Sequence, residues 1–346
     1  MTINVRDYNV IGDGINDDTD SFQAALDAAF KLKKTLFVPS GKYSVGELYV
    51  PAGVYIKADY KWGFGNDMPG DTILLQRSEN QRCILNMKSS SGATIDGLTL
   101  YGNKQGNCCG IITDRTQFPE HEDSFRIQNC KICHFGGSAV SLNKIWCFSV
   151  RHNMFSSCGK HGIEIEGWDG FILDNWFSCN TGAGIKNSGN TASVTMTGNR
   201  IEWNGLGGIC IDDGNNFNIT GNYIDRSGQA GINISNFICA SITGNIIYRS
   251  GARCGQNDIS AHCILKDCDG INLTGNSFMS GCDDGNKGRF SPETVLKITR
   301  LRNSIVSNNV MPNGSLCRLI DDDGGHENCI INNNVGCLRD LSKINN

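Results

Sequence analysis

Four carboxylates, Glu164, Glu166, Asp212 and Asp213, have the types and spacing that best suggest a chemistry. In Ile163-Glu164-Ile165-Glu166 the two glutamates share one face of an extended strand, about 6.6 to 7 Å apart at the backbone. Asp212 takes the matching place in Ile209-Cys210-Ile211-Asp212. Hydrolysis of a glycosidic bond needs a protonated acid at the leaving oxygen and a second carboxylate as base or nucleophile. Repulsion within such a pair raises one pKa and so supplies the acid. Lys160, His161, Trp168, Asp169, Lys186 and Asn233 surround these positions in repeat space. They offer cations, hydrogen-bonding groups and a ring to stack on a pyranose face. Outward carboxylates on a strand are also ordinary solvated surface, and His161 reads as a bend residue sooner than as a base.

The elements that hold these groups repeat. Asn153, Asn175, Asn199, Asn222 and Asn245 recur every 22 to 24 residues, each followed two places later by Phe or Ile. Gly-Ile pairs follow at Ile163, Ile185, Ile209 and Ile232. The spacing lengthens to Asn276 and Asn309 and shortens again to Asn333, which reads as loops inserted into similar units. Apolar residues alternate with polar ones, the period of a short strand with one buried face. Each repeat is therefore one coil of a parallel β-helix, whose stacked coils share an interior and a ladder of Asn side chains. Roughly 12 or 13 coils fit the length. Alternation sends Glu164, Lys186, Cys210 and Asn233 outward in one column, and Glu166, Ser188, Asp212 and Ser235 in the next. Glu166 and Asp212 fall two coils apart, about 9.6 Å along the stack, near the roughly 6.5 to 9.5 Å of an inverting pair.

Residues 1 to 34 differ from the rest. Asp20 and Gln23 have capping-box spacing, and Phe22, Leu26, Ala29 and Phe30 form one apolar stripe, which predicts a helix closing the open end of a solenoid that fills 35 to 346. The formal net charge is −4, with no basic run and no phosphate loop, so no nucleic-acid surface is expected. No apolar stretch is long enough to insert in a membrane, and Met-Thr-Ile-Asn-Val-Arg-Asp lacks a signal-peptide core. Seventeen cysteines cannot all pair with one another, so Cys is read as a small apolar filler in a reducing compartment, stacked at Cys158 and Cys179. Cys130-x-x-Cys133 resembles half a zinc site without a second half, and Asp321-Asp322-Asp323 reads as a solvated loop rather than a cation site. No cofactor and no metal are expected. Asp283, Asp284 and Arg289, in an insertion after Asn276, are further candidates for binding.

Gly12-Asp13-Gly14-x-x-Asp17-Asp18-Thr19-x-x-Phe22-Gln23-x-Ala25, followed by Leu36-Phe37-Val38-Pro39-x-Gly41-x-Tyr43, resembles the N-terminal signature of pectate-lyase-like proteins, in the branch that holds phage tailspikes and polysaccharide depolymerases. The resemblance implies an all-β, single-stranded right-handed parallel β-helix with a short N-terminal capping helix. It further implies a homotrimeric virion tail protein, made in the host cytoplasm and acting outside the cell on a bacterial surface polysaccharide, docked onto other tail or baseplate proteins. Hydrolysis through Glu166 and Asp212, with Glu164 and Asp213 in reserve, is the expected reaction. A non-catalytic receptor-binding spike is the alternative, and a lyase or epimerase the third reading. His161-Gly162 departs from the polygalacturonase motif, in which the paired aspartates precede the histidine, whereas Asp212-Asp213 follow it here.

Overall fold

The computed structural model describes residues 2–59, 61–63, 70–251, 260–281 and 291–340. The chain divides into two units, Met1–Trp176 and Phe177–Asn346. Both are stacks of parallel strands, and the fold is the right-handed parallel β-helix that the repeats and the N-terminal signature led us to expect.

In the first unit the buried residues Tyr43, Leu74, Leu100, Ile132 and Phe155 lie in direct parallel register on successive coils. Ile56, Ile95, Ile127 and Val150 form a second such column. In the second unit Ile201, Ile224, Ile247 and Phe278 stack in the same way. Ile211, Ile234, Leu265 and Ile298 do so on the facing sheet. Alternation alone dictates this: with one side chain in two turned inward, equal repeats superpose apolar on apolar.

Buried asparagines cross-link the coils at a bend. In the first unit the Asn175 carbonyl accepts from Asn153 N and Nδ2, each at 3.0 Å. In the second, Asn222, Asn245, Asn276 and Asn309 repeat the pattern, each side chain accepting from the coil before, starting from Asn199, and donating to a main-chain carbonyl. The last rung is Asn334 and not the expected Asn333: Asn334 Oδ1 accepts from Asn309, while Asn333 sits at φ 53° in the adjacent left-handed bend. A second ladder, Asn180 to Asn204, runs along another bend.

The N-terminal helix, Thr19–Leu32, buries Phe22, Ala25, Leu26 and Ala29. Phe30 is 54% exposed, so the expected stripe ends at Ala29, and Ala25 joins it in place of Phe30. The capping box at Asp20 and Gln23 does not form. Asp18 precedes the helix, and its carboxylate accepts Ile11 N at 2.6 Å and Gly12 N at 2.9 Å, folding the Gly12 turn back on the helix start. Gln23 instead pairs with both backbone groups of Tyr49, at 2.8 and 2.9 Å, tying the helix to the neighbouring coil. Residues ahead of the helix also contribute a strand, Thr2–Asn4, in parallel register with Thr35–Val38. Cys158 is buried as expected, but Cys179 is exposed, because it occupies a left-handed bend at φ 58° instead of an inward strand position.

Candidate functional site

Each unit carries part of the predicted set on its longer-stranded sheet. In the first unit, strand Ile163–Leu173 turns Ile163 and Ile165 inward and leaves Glu164 and Glu166 half-buried on the outer face, as alternation requires. Their register partners on strand Val140–Arg151 are Ser141 and Asn143. Glu166 forms an ion pair with Lys144, and Ser138 Oγ lies 3.4 Å from Glu164. Gly167 and Gly170 flank Trp168 and Asp169 and let this coil close on its neighbour. A Cβ at Gly167 would meet the Ile145 backbone at 2.5 Å, and one at Gly170 would meet the Phe148 ring at 2.0 Å.

Trp168 is not an open platform. Phe118 stacks on it with ring centroids 3.8 Å apart and planes 11° from parallel, and the Lys144 ammonium lies 5.3 Å from the Phe118 ring. The segment bearing Phe118 is clamped at its neck by the buried Arg115–Asp123 pair, at 2.6 and 2.8 Å. Asp169 is exposed in a left-handed bend and accepts the Trp146 indole N–H at 2.9 Å. Lys160 is exposed and His161 half-buried at the bend leading into the strand, their main chains bonded to Gly137 and Ala139.

In the second unit, Asp212 lines a cleft of about 340 Å³ with Asn233, Ser235, Asn236, Ile264, Lys266 and Asp267. Ser235 Oγ and Asn236 Nδ2 each donate to its Oδ1 at 2.8 Å. Those two bonds hold the Asp212 carboxyl below the usual carboxylate range, and the charges of Lys186 and Lys266 act in the same direction. Asp212 is therefore ionised at neutral pH, equipped as a base or a fixed charge rather than a proton donor. Ser188, expected beneath Asp212, lies exposed past the end of strand Ile185–Asn187. Buried Asn187 does the positioning instead: it accepts Asp212 N at 2.9 Å and donates to the carbonyls of Asp212 and Asp213 at 2.8 Å each. Asp213 is exposed at φ 65°. Lys186, Cys210, Asn233 and Ile264 run in register beside this row.

Glu164, Glu166, Trp168, Asp169, Lys160 and His161 thus belong to the first unit, and Lys186, Asp212, Asp213 and Asn233 to the second. Asp283, Asp284 and Arg289 lie outside the described residues. Lys144, Phe118 and Lys266 escaped the sequence reading. Lys266 was findable in principle, since it takes Ser235's register position one coil later, but the longer spacing after Asn245 obscures it.

Residues 82–237 and 181–343 match the family model described as the right handed beta helix region, and residues 2–58 match rhamnogalacturonase A/epimerase, pectate lyase-like. Alginate lyase 7 of Azotobacter vinelandii is 27% identical over 205 residues, 53% of this chain and 23% of that protein. The capsule K30/K69-specific depolymerase of Klebsiella phage K64-1 is 24% identical over 236 residues, 58% of this chain and 30% of that protein. The chain therefore spans less than a third of either relative's length. The enzymatically active domain of bacteriophage CBA120 tailspike protein 2 has the same fold, with a TM-score of 0.71 at 15% identity, covering 88% of this chain and 47% of that one.

Proposed function

Because the chain belongs to the family of the right handed beta helix region, we propose that it binds a bacterial surface polysaccharide and hydrolyses it, as a phage tail spike of the depolymerase kind. The observation that carries this is the Asp212 cleft: a carboxylate held ionised by two neutral donors, with two lysines close by, on an outward sheet face. In this reading Asp212 takes a proton from the attacking water as it adds to the anomeric carbon, and the carboxyl of Asp213, next in the chain, gives its proton to the glycosidic oxygen as that bond breaks. Lys186 and Asn233 grip the sugar beside them. Glu164, Lys160, His161 and Asp169 on the first unit are proposed sugar contacts. Glu166, neutralised by Lys144, and Trp168, covered on one face by Phe118, are given lesser parts than their sequence suggested. The relatives, an alginate lyase and a capsule depolymerase by name, support a polysaccharide as substrate.

One observation favours a second chemistry. Lys186 and Lys266 are near enough to bias Asp212, and a lysine beside a carboxylate base suits β-elimination from a uronate: the cation neutralises the sugar's carboxylate, Asp212 removes the adjacent proton, and the C–O bond to the β glycosidic oxygen breaks as the double bond forms, that oxygen taking a proton from water. Incubation with purified capsule and O-antigen polysaccharides separates the outcomes. Reducing ends without new ultraviolet absorbance mean hydrolysis; reducing ends with an unsaturated uronide mean elimination. Tight binding without either overturns catalysis and leaves a receptor-binding spike. The proposed assembly is a homotrimer carried on the virion and docked to other tail or baseplate proteins. Light scattering should return three chain masses.

A further inference from the structure

Given the polysaccharide binding proposed above, on which this site rests, we propose that the first unit carries a track for an acidic polysaccharide. It runs from a lysine-lined cleft at the end of the N-terminal helix, along one outward row of side chains, to Phe171. Tyr55, Thr94, Arg126, Ser149 and Phe171 form that row, in direct parallel register on successive coils. Ile56, Ile95, Ile127 and Val150, each one residue further along its strand, are buried, so alternation turns the row outward. Arg126 is exposed, Phe171 is 50% exposed, and the other three are half-buried. At about 4.8 Å per strand the row is about 19 Å long, which several pyranose units would span.

A cleft opens at each end. At the helix end, Phe30, Lys31, Lys33, Lys34, Gly53 and Tyr55 line about 630 Å³. A Cβ built on Gly53 would meet nothing within 4 Å, so the cleft is open on that side. At the other end, Arg126, Ser149 and Phe171 line about 250 Å³, with Cys147 and Asp169 at the corner of the coil.

The lysines exceed what a helix terminus needs. Lys33 takes the left-handed closing position at φ 52°, its N–H donating to Phe30 O at 3.2 Å, while Lys34 N–H donates to Ala29 O at 3.0 Å. The backbone thus closes the helix by itself, at a position where glycine is usual. The helix dipole acts on charges within the last turn, where Lys31 lies; Lys33 and Lys34 lie beyond it. Among the described residues Lys31, Lys33, Lys34 and Arg126 have no ion-pair partner, in a chain whose formal charge is −4. The carboxylates beside the track are already engaged with neutral donors. Asp27 accepts from Gln23 at 2.9 Å, Asp96 accepts the Tyr55 hydroxyl at 2.7 Å and two side-chain amides, and Asp169 accepts the Trp146 indole.

Cations at one end, a ring at the other and the hydroxyls of Thr94 and Ser149 between them suit a sugar chain with acidic substituents. Carboxylates or sulfates meet the lysines and Arg126, and the C–H face of a pyranose lies on Phe171. Asp169 beside Phe171 favours a neutral sugar at that end, so the chain that fits carries both acidic and neutral units. A single-stranded nucleic acid would want rings in close succession, whereas Tyr55 and Phe171 stand at opposite ends of the row.

The full chain carrying Asp212→Asn, in which any turnover at Asp212 is stopped, is titrated calorimetrically with a hexasaccharide alternating uronate and neutral N-acetylhexosamine. A neutral glucan hexasaccharide, hexaglutamate and single-stranded oligodeoxythymidylate are the comparisons, and the uronate hexasaccharide should bind most tightly. Lys33→Gly combined with Lys34→Gln should weaken it about five- to tenfold and flatten its salt dependence. Phe171→Ser should weaken it about three- to tenfold and leave the salt dependence unchanged. Glycine suits the left-handed position, so Lys33→Gly alone should melt no lower than its parent, and circular dichroism should be the same in every variant, which separates loss of binding from loss of fold. Equal binding of the glucan, preference for hexaglutamate or the oligonucleotide, or unchanged affinity in either track variant each overturns the site. Absence of binding by any glycan overturns polysaccharide binding with it, whereas binding that ignores the track variants removes the track alone.

Discussion

At the scale of single residues, Asp212 makes the sharpest claim. Ser235 and Asn236 stabilise its charged form, so its folded-state pKa is depressed. Stability from those bonds is then present above the unfolded value of about 3.9 and lost as pH falls through the lower folded value. As a general base it should keep turnover alive on the acid side to below about pH 4, with Asn236→Ala moving that limb toward neutrality. Asp212→Asn should lower kcat by about 10² to 10⁴ while leaving substrate affinity within a few-fold; full activity in this variant removes the assignment. The outward placement of Glu164, Glu166 and Asp212 was legible in the sequence because alternation has period two and buried isoleucines fix its phase. Their partners were not. Lys144 lies 22 residues, one repeat, before Glu166, but it sits at φ 53° in a bulge that shifts the register and that the spacing does not announce. Phe118 reaches Trp168 from a segment whose path is set by the Arg115–Asp123 clamp, which no repeat spacing encodes.

At the scale of elements, the asparagine ladder was readable and its consequence is measurable. Asn222 accepts from Asn199 N and Nδ2 at 3.0 and 2.9 Å and donates to Met196 O and Asn245 Oδ1 at 2.9 and 3.0 Å, all in a bend 1% exposed. Asn222→Ala orphans groups on both neighbouring coils and should cost about 2 to 5 kcal/mol by urea denaturation. Asn222→Asp should be as harmful, since it keeps the acceptor and loses both donors. The ladder's end and the helix cap were misread for one reason: Asn and Asp serve bends in two ways, through side-chain bonds or through tolerance of positive φ, and the residue type does not say which. Asn334 does the first and Asn333 the second; Asp18, not Asp20, turns its carboxylate on neighbouring backbone, and on the loop instead of the helix.

Strand Ala261–Lys266 holds a second measurable feature, His262. It is fully buried, its Nε2–H donates to Gly314 O at 3.0 Å, and burial pushes its pKa down to about 3. The folded protein keeps it neutral while an unfolded chain would protonate it near 6.5, so the unfolded state binds the extra proton between those values. Stability should therefore be flat with respect to this group above about pH 6.5 and fall as pH drops toward 3. His262→Leu should flatten that slope, even if it lowers the melting temperature at pH 7 through loss of the Gly314 bond. A slope unchanged by the substitution would assign the acid sensitivity elsewhere.

At the scale of the whole molecule, the cysteines report how a solenoid partitions its chain between interior and bend. Seventeen thiols in 346 residues are odd in number and so cannot all pair, and the sequence suggests small apolar filler at Cys158 and Cys179, which Cys158 fits and Cys179 does not. The described ones are free, and their position in the coil sorts them. Cys83, Cys108, Cys130, Cys133, Cys158, Cys263 and Cys268 are buried, filling the interior as small apolar groups. Burial pushes Cys108, Cys130 and Cys133 up to about 12 and Cys268 to about 11. Cys179, Cys239, Cys317 and Cys337 are exposed. Reaction with an alkylating reagent requires the thiolate and access, and the buried group lacks both. Brief iodoacetamide treatment at pH 8 should therefore mark those four under native conditions, with Cys109, Cys147, Cys210 and Cys329 following more slowly, as mass spectrometry of the peptides would show. The seven buried thiols should stay unmodified until denaturant reaches the unfolding transition of their unit, then react together within it. Labelling of Cys130 or Cys263 well before that transition would mean that coils open one at a time, and that the interior of each stack does not unfold as one cooperative core.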